Sequence, residues 1–506
     1  MFKINSKKAI IFLLLLIACL ISSYVLTARY FPVEPDAANS PLVWRAFLTE
    51  GFSAFKDWAP TPDNWYFTTY PMNFFFFALM GNDGKIPLIL STSIFIGLTS
   101  FILSSVIYSI NKSWASLIVL TSLLLFPAYV YTFGFAAHPF SHYSTNFFGV
   151  LTFGLAFCNL NKKSPLVAII CTIIAIFASA SDPWFLATYF LPLLLTHLFF
   201  TWKKEIPIKI SIVFLVGFII SMTHLLPKML GLPIQRFKIM PYEQWWVNAE
   251  WTVQVLGKSM NLFFTQSPIA YTTSFLVWSV IYLYSLITCL DKGKKSLFIC
   301  LFSFLTVSGI ISSFIISYDS PADISARFFV NAVCFIILLT ALRLSFSKKH
   351  LIAVAFPLYI ASSIYSYHMN ETPLYNQEEQ TYDFIAFLKK NNLSFGYGDY
   401  WRFSNTVNWL SLGEIHISPV LFDENTHRIK FNKPRLQTMK SWLTDNYAKD
   451  APIRQFVAIP AIESAVPDSP DNLKIEALRN QLGNPDETFI FQGMTIFTYN
   501  HKISLN

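Results

Sequence analysis

Charge is scarce in this 506-residue chain: Asp, Glu, Lys and Arg make up 13% of it, against about 25% in a soluble domain. That scarcity excludes a soluble multidomain enzyme and a disordered scaffold. Cysteine is rarer still. All six (Cys19, Cys158, Cys171, Cys289, Cys300, Cys334) sit in apolar runs and the polar C-terminal region has none, so neither a disulfide framework nor a zinc or redox spacing is present. No D-x-D, P-loop or G-x-S-x-G motif occurs, which leaves a metal-dependent nucleotide-sugar site without support. Internal repeats and low-complexity stretches are also missing. In their place stand 54% hydrophobic residues and 51 Phe, more than a water-facing surface can absorb. The composition is that of an integral membrane protein.

Apolar runs long enough to cross a bilayer lie at about 9–28, 85–109, 113–133, 144–160, 165–181, 183–202, 207–226, 269–290, 296–317, 328–347 and 350–367, about eleven spans. The first has a basic lead but is too long for a signal peptide's apolar core, and reads as an uncleaved anchor. Alternate connections, beginning with the N-terminus, hold Lys3, Lys7, Lys8; Lys112; Lys162, Lys163; Lys203, Lys204, Lys209; Lys292, Lys294, Lys295; and Arg343, Lys348, Lys349. Only Glu205 and Asp291 oppose them. The positive-inside rule puts these connections and the N-terminus in the cytoplasm and the C-terminus outside. The net charge of +8 therefore reflects topology, and nucleic acid is not expected as a partner.

The long connections lie on the outer side: a first loop over 29–84, a second over 227–268, and the tail. The reading divides the chain into a transmembrane domain, 1–369, and an extracytoplasmic α/β domain, 370–506, docked on the outer loops. In the tail, 377–391 reads as an amphipathic helix with Glu378, Glu379 and Asp383 early and Lys389, Lys390 late. Strands are expected at 395–400, 415–422 and 455–460, followed by a hairpin turning on Gln492-Gly493. In the first loop, Asn39-Ser40-Pro41 should start a helix running from Leu42 to Trp58 in the membrane interface.

Several residues have the chemistry for a site. Phe31-Pro32-Val33-Glu34-Pro35-Asp36 holds two acids between prolines at the membrane surface; they are either solvated loop acids or a general base. Asp182, ahead of Pro183, serves either as a helix cap or as a site acid. Arg327 is spaced to pair with Asp323, but an arginine here also suits a phosphate. Lys228, Arg236 and Lys238 form a second outer basic group. His138 and His142, with no acid near them in sequence, read as structural, and Glu243-Gln244-Trp245-Trp246 reads as an interfacial anchor.

A short cytoplasmic N-terminus, one span, a long outer loop with an acid just after the span, an interfacial helix, many further spans and an outer α/β tail together resemble GT-C-fold glycosyltransferases. Within that group the chain looks like the bacterial and phage-borne serotype-converting O-antigen glucosyltransferases. Trp245-Trp246 is followed by Val247, which departs from the Trp-Trp-Asp signature of oligosaccharyltransferases and argues against protein N-glycosylation. The resemblance implies a bacterial inner-membrane enzyme with a periplasmic tail. It would move glucose from undecaprenyl-phosphate glucose to lipid-linked O-antigen, with inversion and without a cofactor. It further implies Asp36 as base with Glu34 competing, Asp182 as a later acid and Arg327 at the lipid phosphate; from the basic group, Lys228 and Arg236 are expected as further substrate contacts. A flippase and a donor-synthesising glucosyltransferase are its implied partners. A lipid-linked saccharide flippase and an O-antigen polymerase are the rival readings; against transport, the span interiors hold almost no charge and no paired halves are visible.

Overall fold

The computed structural model describes residues 6–111, 114–133, 136–234, 238–346, 352–369, 376–460 and 470–505. Arg236, Lys112, Lys348, Lys349 and the expected boundary at Asn370 lie outside the described residues. Apolar runs become helices throughout: α1 (Ser6–Tyr30), α2 (Asn39–Glu50), α3 (Ser53–Asp57), α4 (Thr69–Met80), α5 (Lys85–Asn111), α6 (Ala115–Leu124), α7 (Ala128–Thr132), α8 (Tyr143–Lys162), α9 (Pro165–Ser181), α10 (Leu191–Trp202) and α11 (Ile208–Met222). There follow α12 (Leu225–Leu230), α13 (Tyr242–Ser259), α14 (Pro268–Cys289), α15 (Lys294–Ser317), α16 (Ala326–Phe346) and α17 (Ile352–Met369). Among the described residues, five segments are long and apolar enough to cross a membrane: Ala9–Tyr30, α5, α14, α15 and Asp323–Phe346. Four shorter apolar helices, Ala115–Leu124, Pro165–Ser181, Leu186–Trp202 and Ile208–Met222, accompany them.

Two expected helices are interrupted. The run 113–133 breaks at Phe126-Pro127, where proline removes an amide donor and its ring opposes the preceding turn. The interfacial helix expected from Leu42 to Trp58 instead begins at Asn39 without a side-chain cap and ends at Gly51, whose φ of 64° is open only to glycine at low cost; α3 follows at a new angle.

Burial orders the bundle. The apolar window of Asp323–Phe346 is 94% buried, whereas that of α1 is 11% buried. Thus α16 is the central post, packed by α15, α14, α6, α13, α5 and α8, and α1 lies on the rim against α5. On α1 the residues Ile10, Leu14, Ile17, Ile21 and Val25 remain exposed at helical spacing. On α14, Ile269, Leu276, Val280, Leu283 and Ile287 do the same. Exposed apolar stripes on helices whose other faces are packed are lipid-facing surfaces.

In the C-terminal region, β2 (Phe395–Gly398), β3 (His416–Pro419), β5 (Gln455–Pro460), β6 (Glu487–Phe491) and β7 (Met494–Tyr499) form a sheet ordered β3-β2-β5-β7-β6. The first three strands are parallel, and β7 joins antiparallel to both β5 and β6. The β6–β7 turn uses Gln492 and Gly493 at φ of 46° and 69°, the twist that suits a two-residue hairpin. Helix α18 (Glu378–Lys390) packs beside the short α19 (Asn405–Leu410), with α20 (Asp445–Ala448) and α21 (Pro470–Leu482) on later connections. A separate two-stranded ladder joins this region to the first loop: β1 (Trp58–Ala59) pairs with β4 (Thr438–Met439).

Close backbone approach at Gly257 lets α13 lie against α14: a Cβ there would stand 2.1 Å from the Tyr271 carbonyl oxygen. Gly257→Ala is expected to lower stability by about 1–3 kcal/mol through overpacking, read as a lower thermal midpoint of the purified protein in detergent.

Candidate functional site

The prolines flanking Glu34 stiffen the link between α1 and α2, and the chain folds back there into a tight turn. Glu34 is consumed by that turn: its Oε2 accepts from the Asp36 amide at 3.0 Å and its Oε1 from the Ala37 amide at 3.2 Å. Oε1 also meets His138 Nε2 at 2.5 Å. The Phe140 amide donates to His138 Nδ1 at 3.0 Å, so the ring proton is on Nε2 and points at Glu34. His138 therefore has an acid beside it after all, contrary to the sequence expectation, because the fold brings residue 34 to residue 138.

Asp36 is placed differently. Its Oδ1 accepts a 2.5 Å hydrogen bond from the Tyr400 hydroxyl, which lies just beyond the C-terminal end of β2. Burial, and secondarily the charge of Glu34, push the Asp36 carboxyl up to about 6. His138, the Tyr400 hydrogen bond and Arg435 pull the other way. The Arg435 guanidinium carbon stands 3.3 Å from the centre of the Tyr400 ring.

A cavity of about 280 Å³ opens on Asp36, lined by Pro32, Glu34, Pro35, Asp36, Phe133, His138, Ser141, Ile324, Arg327, Gln377 and Trp401. Its size is near the lower end of small-molecule sites, about 300–1,000 Å³. Three of the nominated residues, Glu34, Asp36 and Arg327, thus line one cavity. Arg327 is not paired with Asp323, which binds Lys258 instead. The guanidinium lies beside the Tyr318 hydroxyl and within the fields of Asp63 and Asp36, and its buried Nε has no hydrogen-bond partner.

Asp182 is not at this cavity. It is fully buried, and its Oδ2 meets His142 Nδ1 at 2.7 Å and accepts from the Thr145 hydroxyl; its Oδ1 accepts from the Trp184 amide at 3.0 Å. The capping role read from Asp182-Pro183 is met by that last bond, and His142, like His138, has its own acid. Phe328 covers the His142 ring at 4.4 Å. Lys228 is exposed on the short α12 and is not among the residues lining the cavity.

Asp63 went unnoticed in the sequence reading. Burial, followed by the charge of Asp182, raises its carboxyl above the usual range, while His142 and Arg327 act in the opposite sense. A signal existed: Pro62-Asp63 repeats the Pro35-Asp36 pattern in the same loop. Glu34, Asp36 and His138 each offer a ligand atom within 4.8 Å of the others, a spacing that suits one divalent cation if His138 gives up its Nε2 proton. As arranged, the cavity can hold a compact polar ligand between a carboxylate and a guanidinium.

The two aspartates predict different failures. Asp182→Ala strands His142, Thr145 and the Trp184 amide in a dry interior, and should cost about 3–5 kcal/mol and lower the yield of folded protein. Asp36→Asn keeps its partners' geometry and should leave the thermal midpoint within a few degrees. Parallel melts of the two purified variants check this.

No family model and no curated protein matches the chain. Among solved structures it is similar to the Archaeoglobus fulgidus oligosaccharyltransferase in a complex with Zn and sulfate, with a TM-score of 0.47 and 11% identity over 87% of this chain and 68% of that one. A second structure of that oligosaccharyltransferase, tethered through a disulfide bond to an acceptor peptide containing the NVT sequon, gives a TM-score of 0.48 and 12% identity over 98% of this chain and 75% of the other. A likeness at that level assigns no function, and the chemistry of the cavity is the firmer guide.

Proposed function

We propose that this chain is a membrane glycosyltransferase of GT-C type that moves one glucosyl group from undecaprenyl-phosphate glucose to a hydroxyl of lipid-linked O-antigen, with its site facing the periplasm. The observation that carries this reading is a partly buried carboxylate, Asp36, sharing a sugar-sized cavity with the guanidinium of Arg327. Glucose, undecaprenyl phosphate and O-antigen come from the family resemblance. The charge bias of the connections supports a bacterial inner-membrane setting with the N-terminus in the cytoplasm and the tail outside.

The chemistry follows from those two groups. The acceptor oxygen attacks the anomeric carbon on the side opposite the phosphate. Asp36 takes the acceptor proton as the new C–O bond forms, and the bond from the anomeric carbon to the phosphate oxygen breaks. Polyprenyl phosphate leaves with the bonding pair, and Arg327 offsets the charge that develops on it. A phosphate needs no protein acid to depart, so one carboxylate suffices, and a single displacement inverts the anomeric centre. Glu34 is committed to its turn and to His138, which favours Asp36 over it as the base. Against the transport reading, the acids Asp36, Asp63 and Asp182 all lie at loops or helix ends and not within spans.

Transfer of labelled glucose from undecaprenyl-phosphate glucose to lipopolysaccharide in membranes, matched for protein amount, tests the assignment. Asp36→Asn should cut turnover by roughly 10²–10⁴-fold, and Glu34→Gln should be milder. Arg327→Lys should keep part of the activity and Arg327→Ala less. Because the base must be ionised, turnover should rise with pH through about 6 and fall away below it; a flat profile from pH 5 to 8 would remove Asp36 from that role. Alkaline phosphatase fused after Asn506 should be active, and fluorescence of a fused green fluorescent protein in its place would contradict the topology.

A further inference from the structure

We infer that Tyr400 is a positioning residue for Asp36, so that the C-terminal region completes the reaction centre; this rests on the reading of Asp36 as the base. The Tyr400 side chain is 1% exposed, and its hydroxyl proton has three oxygens within reach. Asp36 Oδ1 lies at 2.5 Å, Gln437 Oε1 at 3.1 Å and Asn39 Oδ1 at 3.4 Å. A hydroxyl donates once, and the shortest and only ionisable acceptor is Asp36. With Oδ1 held, the second carboxylate oxygen is the one left to receive the acceptor's proton. Burial and the nearby Asp36 charge raise the Tyr400 hydroxyl well above its ordinary range, so it stays a donor.

The backbone around Tyr400 is built to deliver that hydroxyl. The strand β2 ends at Gly398, where an added Cβ would stand 3.1 Å from both the Ile417 and Ser404 side chains. Asp399 then closes the turn: its side chain accepts from the Arg402 amide at 3.1 Å and its carbonyl from the Ser404 hydroxyl at 2.7 Å. Phe403 adopts a φ of 73° and Gln437 a φ of 64°, left-handed conformations that non-glycine residues rarely take. Such backbone strain persists only where surrounding structure enforces it, and it gathers at functional sites. Phe403 is enforced by burial against Phe384, and Gln437 by donating its amide to the Ala59 carbonyl at 2.5 Å. Arg435 lies over the Tyr400 ring at 3.3 Å, and a cation on the ring face strengthens the phenol as a donor.

The frame around the hydroxyl is latched independently of it. Arg45 on α2 donates to the Asn408 and Trp409 carbonyls, each at 2.9 Å, while also binding Asp83. The Gln377 amide donates to the Val33 carbonyl at 2.7 Å, and Lys85 pairs with Glu378 at 2.7 Å. Loss of the one hydroxyl therefore leaves the C-terminal region docked, which makes a clean test possible.

Full-length protein in lipid nanodiscs, undecaprenyl-phosphate glucose and purified lipopolysaccharide are the components of that test. Tyr400→Phe should lower kcat by about 10–100-fold with KM for the donor within about threefold of wild type. In an Asp36→Asn background the same substitution should add no further loss, because Tyr400 acts through Asp36. Arg435→Gln should lower kcat in the same direction by a smaller factor, and it serves if Tyr400→Phe does not fold. Wild-type turnover in Tyr400→Phe, or an equal loss with and without Asp36, would overturn the inference while leaving the glycosyltransferase reading intact. Absence of transfer by the wild type would instead defeat that reading. The contact is then checked by the infrared carboxylate band that Asp36→Asn removes: it should shift in Tyr400→Phe, and an unmoved band would overturn the inference.

Discussion

The partial burial of one carboxylate governs this site. Asp36 lies where the link after α1, the segment between α7 and α8 and the C-terminal region meet, and drawing it out of water raises its proton affinity. A buried acid without partners would simply stay protonated. Tyr400, Arg435 and His138 oppose that tendency, and each arrives from a distant part of the chain. Docking of the C-terminal region is therefore tied to the ionisation of Asp36: the surfaces that exclude water also bring the donor that holds the charge.

Two acid–histidine pairs stand near this centre and do different things. Asp182 and His142 are sealed beneath Phe328 at the start of α16, and their bond fixes the end of α9 against the residue that precedes α8. Glu34 and His138 sit at the cavity wall and fix the turn that carries Asp36. Since α16 is the most buried span, Arg327 in its first turn is held by the core of the bundle and not by a loop. The cavity thus sets a group anchored in the bundle against one anchored at the junction with the C-terminal region.

Much of the scaffold was legible because helix formation and strand alternation are local. Apolar runs mark α5, α8, α9, α14 and α15 to within a few residues, and Gln492-Gly493 marks its hairpin. Gly51 breaks the first-loop helix through a backbone angle that hydrophobic spacing does not register. Asp36 and Arg327 could be nominated because an acid fixed beside a proline and an arginine suited to phosphate carry their chemistry in the local sequence. What eluded the sequence was pairing between residues far apart in the chain: Asp36 with Tyr400, Arg45 with Trp409, Lys258 with Asp323. Such hydrogen bonds leave no periodicity behind, and a histidine's role changes once an acid from another loop reaches it.

The central claim is a single displacement with one carboxylate as base and the lipid phosphate as leaving group. Its most direct test is the anomeric configuration of the product, read by NMR coupling constants after transfer from a donor of defined configuration. The account predicts complete inversion by the wild type. A product that retains the donor's configuration would require a covalent or ion-pair intermediate, and would contradict it.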